Sequence, residues 1–165
     1  MTSDRVVLQS SSSLTLRRAT YSDCELLWTW VNEPDVRAAS FTLAAIPLGQ
    51  HRKWFAKRLG SAACDILIAV GKNAEPVGVI RFDSDGRQNL VVSITVCAAH
   101  RGAGYGSRII RRACTMLRTR RHVGNFIADI KSANVASQMV FKRAGFRKLR
   151  SIQKNGVSAI RMVSK

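Results

Sequence analysis

A chain of 165 residues, 46% of them hydrophobic, can bury one core and is too short for two comfortable domains. No apolar run approaches the roughly 20 residues of a membrane span, and the N-terminus, with Asp4, Arg5 and no long apolar stretch, does not read as a secretory signal. The formal charge of +17 is lopsided: residues 1–100 carry 11 Lys and Arg against 9 Asp and Glu, whereas residues 101–165 carry 16 against one carboxylate, Asp129. Such a half attracts polyanions (nucleic acid, a phosphorylated cofactor or an acidic surface), and charge alone does not choose among them. Cys24, Cys64, Cys97 and Cys114 are widely spaced, without a C-x-x-C pair or a histidine cluster. They read as reduced thiols of a cytoplasmic protein that holds no metal.

Residues 1–13 read as a flexible N-terminal segment and residues 14–165 as a single domain. Leu14–Ala19 alternates like a strand. Thr20 to Asp23 has the shape of a capping box, and Leu26, Leu27, Trp30 and Val31 recur at helical spacing after it. Pro34 ends that helix near Asn32. Asp35–Gly49 reads as an irregular connection with at most a helical turn, and Gln50–Leu59 as a second helix. Strands follow at Asp65–Val70, Pro76–Phe82 and Asn89–Val96, the last reached through an Asp85-Gly86 turn. A helix from Gly104 to Thr119, a strand at Phe126–Ile130, a helix at Asn134–Ala144 and a hairpin of Arg147–Gln153 with Ser158–Val163 complete the order. The expected fold class is α+β, with a single mixed central sheet flanked by about four helices.

The stretch Val91–Gly106 combines a strand, a turn and three glycines at the start of a basic helix. Glycine permits positive φ and close backbone approach, and a helix N-terminus offers free N–H groups and partial positive charge. Together they predict a pyrophosphate cradle. The preceding strands form antiparallel hairpins, so these glycines are not a dinucleotide fingerprint, which needs a βαβ crossover.

Arg101-Gly102-Ala103-Gly104-Tyr105-Gly106 resembles the R-x-x-G-x-G/A acyl-coenzyme A signature of the GNAT N-acetyltransferase superfamily. Val96 lies at the matching strand end, and Asn134-x-x-Ser137-x-x-x-Phe141-x-x-x-Gly145-Phe146 resembles the downstream signature. The resemblance covers Leu14 to Met162 and implies acetyl-coenzyme A as co-substrate, held by Val96, Arg101, Gly102, Ala103, Gly104, Tyr105, Gly106, Ser107, Asn134, Ser137 and Phe141. It also implies a splayed strand pair around the pantetheine arm, with Val96 beside the thioester as oxyanion donor. Arg108 and Arg112, on one helix face, can add charge near the phosphates.

Trp28-x-Trp30-x-Asn32, Val36-Arg37-x-x-Ser40-Phe41 and His51-x-x-Trp54-Phe55 resemble a narrower branch, the amino-sugar-nucleotide N-acetyltransferases of pseudaminic-acid-type glycan biosynthesis. That likeness implies a small-molecule amine acceptor, a nucleotide sugar, contacted by Trp30, Asn32, Arg37, Ser40, His51 and Trp54. The catalytic candidates are Val96, Asp129 and His51, the last two as alternative bases, since imidazole titrates near neutrality and Asp129 matches the glutamate position of protein N-terminal acetyltransferases. Phe141 stands where many relatives carry an acidic tyrosine, and it cannot donate a proton. Two further readings stay open: acetylation of a protein N-terminus of ribosomal type, and a catalytically impaired nucleic-acid-binding module. The expected assembly is a monomer or homodimer.

Overall fold

The computed structural model describes residues 14–165, so the expectation for residues 1–13 lies outside the described residues. Seven strands form one sheet: β1 (Thr15–Arg18), β2 (Cys64–Val70), β3 (Pro76–Ser84), β4 (Leu90–Val96), β5 (Phe126–Lys131), β6 (Arg147–Lys154) and β7 (Val157–Ser164), in the order β1-β2-β3-β4-β5-β7-β6. All neighbours are antiparallel except β4 and β5. Five helices, α1 (Cys24–Val31), α2 (Pro34–Ala39), α3 (Leu48–Leu59), α4 (Tyr105–Arg120) and α5 (Val135–Arg143), cover it.

The alternation of β2 explains the layers. Ile66 and Ile68 join Leu27, Trp30 and Phe55 in a cluster under α1 and α3, whereas Leu67 and Ala69 join Ile109, Ile110, Leu117 and Phe141 under α4 and α5. The capping box forms as its spacing predicts: the Thr20 N–H donates to the Asp23 carboxylate at 2.7 Å, and Arg17 clamps the same group from β1.

Two expectations need correction. The connection after Pro34 contains a true helix, α2, which gives five helices instead of four; Pro34 sits in its first turn, where a missing N–H costs nothing. The next helix starts at Leu48, two residues before the predicted Gln50.

One irregularity positions everything that follows. The parallel ladder of β4 with β5 has only two steps, Leu90↔Phe126 and Val91↔Ile127, although both strands run on. On its other side β4 remains fully paired to β3 as far as Gly78↔Val96, and the Cys97 N–H then donates to Val77 O. Because backbone groups alternate sides along a strand, those of Ile94 and Val96 face the gap left by β5.

Candidate active site

Two cavities meet at this gap. The first, about 370 Å³, runs along the glycine turn and is walled by Val96, Arg101, Gly102, Gly104, Tyr105, Gly106 and Ser107 on one side and by Asn134, Ser137 and Val140 on the other. The second, about 490 Å³, lies between β4, β5 and the α2–α3 segment, and includes Arg37, Phe41, His51, Trp54, Arg81, Asp129 and Lys154 in its wall. Six residues belong to both walls, among them the polar Thr95, Asn134 and Ser137.

The first cavity has the features of a phosphate cradle. Gly102 and Gly104 adopt φ of +79° and +77°, which a side chain would resist, and space is open beside both. Gly104 is the N-cap of the 16-residue α4 and offers no side chain to its first-turn N–H groups, which have no capping side chain among the described residues. At Gly106 a Cβ would stand 2.8 Å from Val140 Cγ1, so this glycine serves the close approach of α4 to α5 instead. Asn134 caps α5, its Oδ1 accepting from the Ser137 N–H at 3.0 Å. Arg101 donates from Nε to Val96 O at 3.0 Å and pairs with Glu33 and Asp35 at α2. Tyr105 packs edge-on to His100 and turns its hydroxyl toward Gly71, away from the junction of the cavities. Ala103 is exposed on the turn. Phe141 is buried against Phe146 and borders only the second cavity. Arg112 opens onto a separate depression with Leu14, Arg111 and Thr115, away from the glycine turn.

In the second cavity the predicted acceptor residues divide. Trp54 lines the wall with Arg81 over its ring at 5.1 Å. Trp30 does not: at 7% exposure it packs in the core under α1 and α3, and it borders a small adjoining cavity of about 80 Å³ together with His51, Trp54 and Thr95. Asn32 is occupied on both sides by the Ile46 backbone, at 3.0 and 2.7 Å. Arg37 donates to Val31 O, Thr42 O, Ala44 O and Ser40 Oγ, while Ser40 Oγ donates to Val36 O. These three polar residues shape the α2–α3 wall by fixing its backbone. Arg81, Ser93, Thr95 and Lys154 also line the cavity, and sequence reasoning missed them.

The two candidate bases differ in kind. Asp129 has a side chain only 4% exposed and accepts from Arg161 at 2.8 and 2.9 Å and from Lys154 at 3.1 Å. Burial pushes its carboxyl upward, but the hydrogen bonds from Arg161 and Lys154 outweigh this and hold it below the usual range. Such a carboxylate is held as an anion by its two cationic partners, an arrangement that does not favour Asp129 as the base. His51 is buried; burial lowers its affinity for a proton, partly offset by a hydrogen bond to the Cys24 backbone. Its Nε2 has no partner among the described residues.

A splayed parallel pair beside an uncapped, glycine-led helix defines an acyl-coenzyme A transferase fold. The chain belongs to the acetyltransferase (GNAT) domain family, whose pattern matches residues 13–147. It is an N-acetyltransferase that takes acetyl-coenzyme A as acyl donor. Similar solved structures include an aminoglycoside acetyltransferase, AAC(6')-Ib, in complex with coenzyme A, at 20% identity, TM-score 0.79, covering 92% of this chain and 94% of that one. Another is spermidine N-acetyltransferase from Vibrio cholerae with coenzyme A and spermine, at 15% identity and TM-score 0.82, with the same coverage. A domain from Methanocaldococcus jannaschii, at 18% identity and TM-score 0.79, covers 93% of this chain and 100% of that one. No curated protein matches the chain.

Proposed function

We propose that the acceptor is the primary amine of a neutral or anionic small molecule, best represented by a nucleotide-linked amino sugar. One observation carries this reading. The acceptor cavity is lined by Arg37, Arg81 and Lys154 with the rings of Phe41 and Trp54, and its one carboxylate, Asp129, is already paired twice. Each of these cations also has a partner, Arg37 in backbone carbonyls, Arg81 in Asp83 and Lys154 in Asp129. Three cations against one carboxylate still leave the wall net positive, which disfavours a polycation and favours a phosphate-bearing acceptor. For that reason the polyamine and aminoglycoside acceptors of the structural neighbours are not carried over. The protein-terminus reading rests on the +17 charge and on Asp129 as base; the paired carboxylate does not support the second of these, and the charge leaves the reading as the second candidate.

Acetyl-coenzyme A supplies a thioester carbonyl for direct attack by the amine. Around it, the turn N–H groups of Gly102 to Ser107 hold phosphate. The Ile94 and Val96 backbone groups face the gap, where an oxyanion donor belongs. Asn134 and Ser137 border both cavities, and the Ser137 hydroxyl supplies the hydrogen bond to the leaving sulfur that Phe141 cannot give. His51, neutral and with a bare Nε2, takes the proton of the amine.

The test measures thiol release from acetyl-coenzyme A with a UDP-4-amino-sugar, kanamycin, spermidine and a ribosomal-type N-terminal peptide. The expected order places the nucleotide sugar first by at least tenfold in kcat/KM. Faster turnover of spermidine or kanamycin overturns the charge argument, and faster turnover of the peptide puts the protein-terminus reading first.

A further inference from the structure

The turn that leaves β4 carries a group of side chains that acetyl transfer does not use. Cys97 Sγ lies 3.1 Å from Nδ1 of His100, and Nε2 of the same imidazole stands 3.5 Å from Glu75 Oε2. Different parts of the chain bring them together. Cys97 follows β4, and its N–H donates to Val77 O at 3.0 Å. His100 closes a short helical turn, its own N–H donating back to Cys97 O at 3.0 Å. Glu75 ends the β2–β3 connection, where its carbonyl accepts from the Gly71 N–H at 2.8 Å and its N–H donates to Lys72 O at 3.2 Å. Thiol, imidazole and carboxylate in this order form the arrangement that activates a nucleophile. The carboxylate favours the tautomer with its proton on Nε2, which leaves Nδ1 to take the proton of the thiol. The remaining cysteines are placed differently. Burial pushes the thiols of Cys64 and Cys114 up to about 12 and that of Cys24 upward as well. Cys97 is partly exposed and, among the described residues, is the one cysteine with an imidazole at its sulfur.

We propose that Cys97 is a reactive thiol that forms mixed disulfides with small-molecule disulfides, and that this modification shuts the coenzyme cleft. The Cys97 thiol gives its proton to His100 Nδ1, and the thiolate attacks one sulfur of the reagent. The reagent S–S bond breaks as the new S–S bond to Cys97 forms, and the second sulfur leaves as a thiolate that takes the proton back from His100. The reagent is the oxidant: Cys97 is oxidised to a disulfide while one small thiol is released in reduced form. His100 connects this chemistry to the donor site. It lines the first cavity beside Arg101 and Tyr105, edge-on to the Tyr105 ring at a centroid separation of 5.5 Å. A substituent on Sγ has no room at 3.1 Å from the imidazole, so His100 must move. The turn that carries it ends at Arg101, whose Nε holds Val96 O at 3.0 Å beside the gap in the sheet. Coenzyme binding and Cys97 modification therefore oppose each other, and the opposition is reciprocal.

Incubation of the full chain with glutathione disulfide at neutral pH, followed by peptide mass mapping, tests this. The adduct should form at Cys97 roughly tenfold faster than at Cys24, Cys64 or Cys114. His100→Gln should slow it about tenfold and Glu75→Gln about threefold, the smaller effect because the Glu75 side chain is exposed and its charge is screened. Acetyl-coenzyme A should protect Cys97. The modified wild type should lose most of its thermal shift with acetyl-coenzyme A and regain it after dithiothreitol, whereas Cys97→Ser should keep the shift through the same treatment. These readouts involve no acceptor, so they stand or fall independently of the proposed substrate. An adduct that forms first at another cysteine, an unchanged rate in either the His100 or the Glu75 variant, no protection by acetyl-coenzyme A, or a modified protein with its full thermal shift overturns the proposal.

Discussion

Arg101 and Glu33 form an ion pair across the mouth of the coenzyme cleft, although 68 residues separate them in the chain. The same guanidinium reaches Asp35, and its Nε holds the carbonyl of Val96. One side chain of the acyl-coenzyme A signature thus ties three parts together: the end of β4, the glycine turn and the start of α2. Lys131 completes the strap from the other side by donating to Ala38 O at 2.8 Å. No residue of α2 is buried, so these ties, with the Arg37 hydrogen bonds to Val31, Thr42 and Ala44, hold it over the gap between β4 and β5.

Replacing Arg101 by Ala should therefore loosen α2 more than it loosens the fold. Partly exposed ion pairs contribute about 0.2–1 kcal/mol each, so Tm should fall by only a few degrees. Hydrogen exchange at residues 34–39 should quicken several-fold, and KM for acetyl-coenzyme A should rise. Unchanged exchange at α2 alongside a lower global stability would show that the strap does not hold the helix.

Gly106 makes a packing prediction that separates it from its neighbours in the motif. A Cβ at Gly106 collides with Val140, so Gly106→Ala should destabilise by about 1–3 kcal/mol through forced separation of α4 and α5. Adding Val140→Ala should return most of that loss, measured as denaturation midpoints in a double-mutant cycle. Gly104→Ala meets no neighbour and suffers only from its φ of +77°. It should cost roughly 1 kcal/mol, and Val140→Ala should not rescue it.

The donor half of the site was legible in the sequence because its chemistry is local. Gly102 and Gly104 need positive φ within a few residues of a helix start, and Asn134 caps the helix it opens, so consecutive letters carry the geometry. The acceptor half is assembled differently. Arg81 comes from β3, Thr95 from β4, and Lys154 reaches Asp129 only because β6 follows β7 in the sheet. Residue type did not separate Trp30, which faces the core, from Trp54, which faces the cavity, since both sit on amphipathic helices with aromatic neighbours. Nor could it tell that Asn32 and Arg37 spend their hydrogen bonds on backbone, because that depends on how the α2–α3 segment folds back.

Asp129→Asn should destabilise by about 1–3 kcal/mol at neutral pH, less than a fully buried pair because Lys154 and Arg161 remain partly hydrated. The folded-state carboxyl lies below its ordinary value, so its stabilising effect is complete above the unfolded value near 4. That effect disappears as pH falls through the lower folded value. The gap between variant and wild type should accordingly be widest at pH 7 and shrink below pH 4. If the folded variant instead lost the alkaline-rising limb of its pH–rate profile, Asp129 would be the base after all.

His51 should leave a signature of opposite chemistry but the same sign. Its folded-state affinity for a proton lies below the ordinary 6.5, first because burial disfavours the imidazolium, with the Cys24 hydrogen bond a partial counterweight. Between the folded and unfolded values the unfolded chain binds more protons, so stability is complete above pH 6.5 and declines as pH falls below it. His51→Gln keeps a polar group of similar reach but cannot titrate, and its Tm should vary less than wild type between pH 7.5 and 5. If Nε2 also takes the amine proton, the same variant should lose roughly 10²–10⁴ in kcat while KM for acetyl-coenzyme A stays unchanged. A flattened stability profile with kcat intact would leave His51 as a buried structural imidazole and move the proton to solvent.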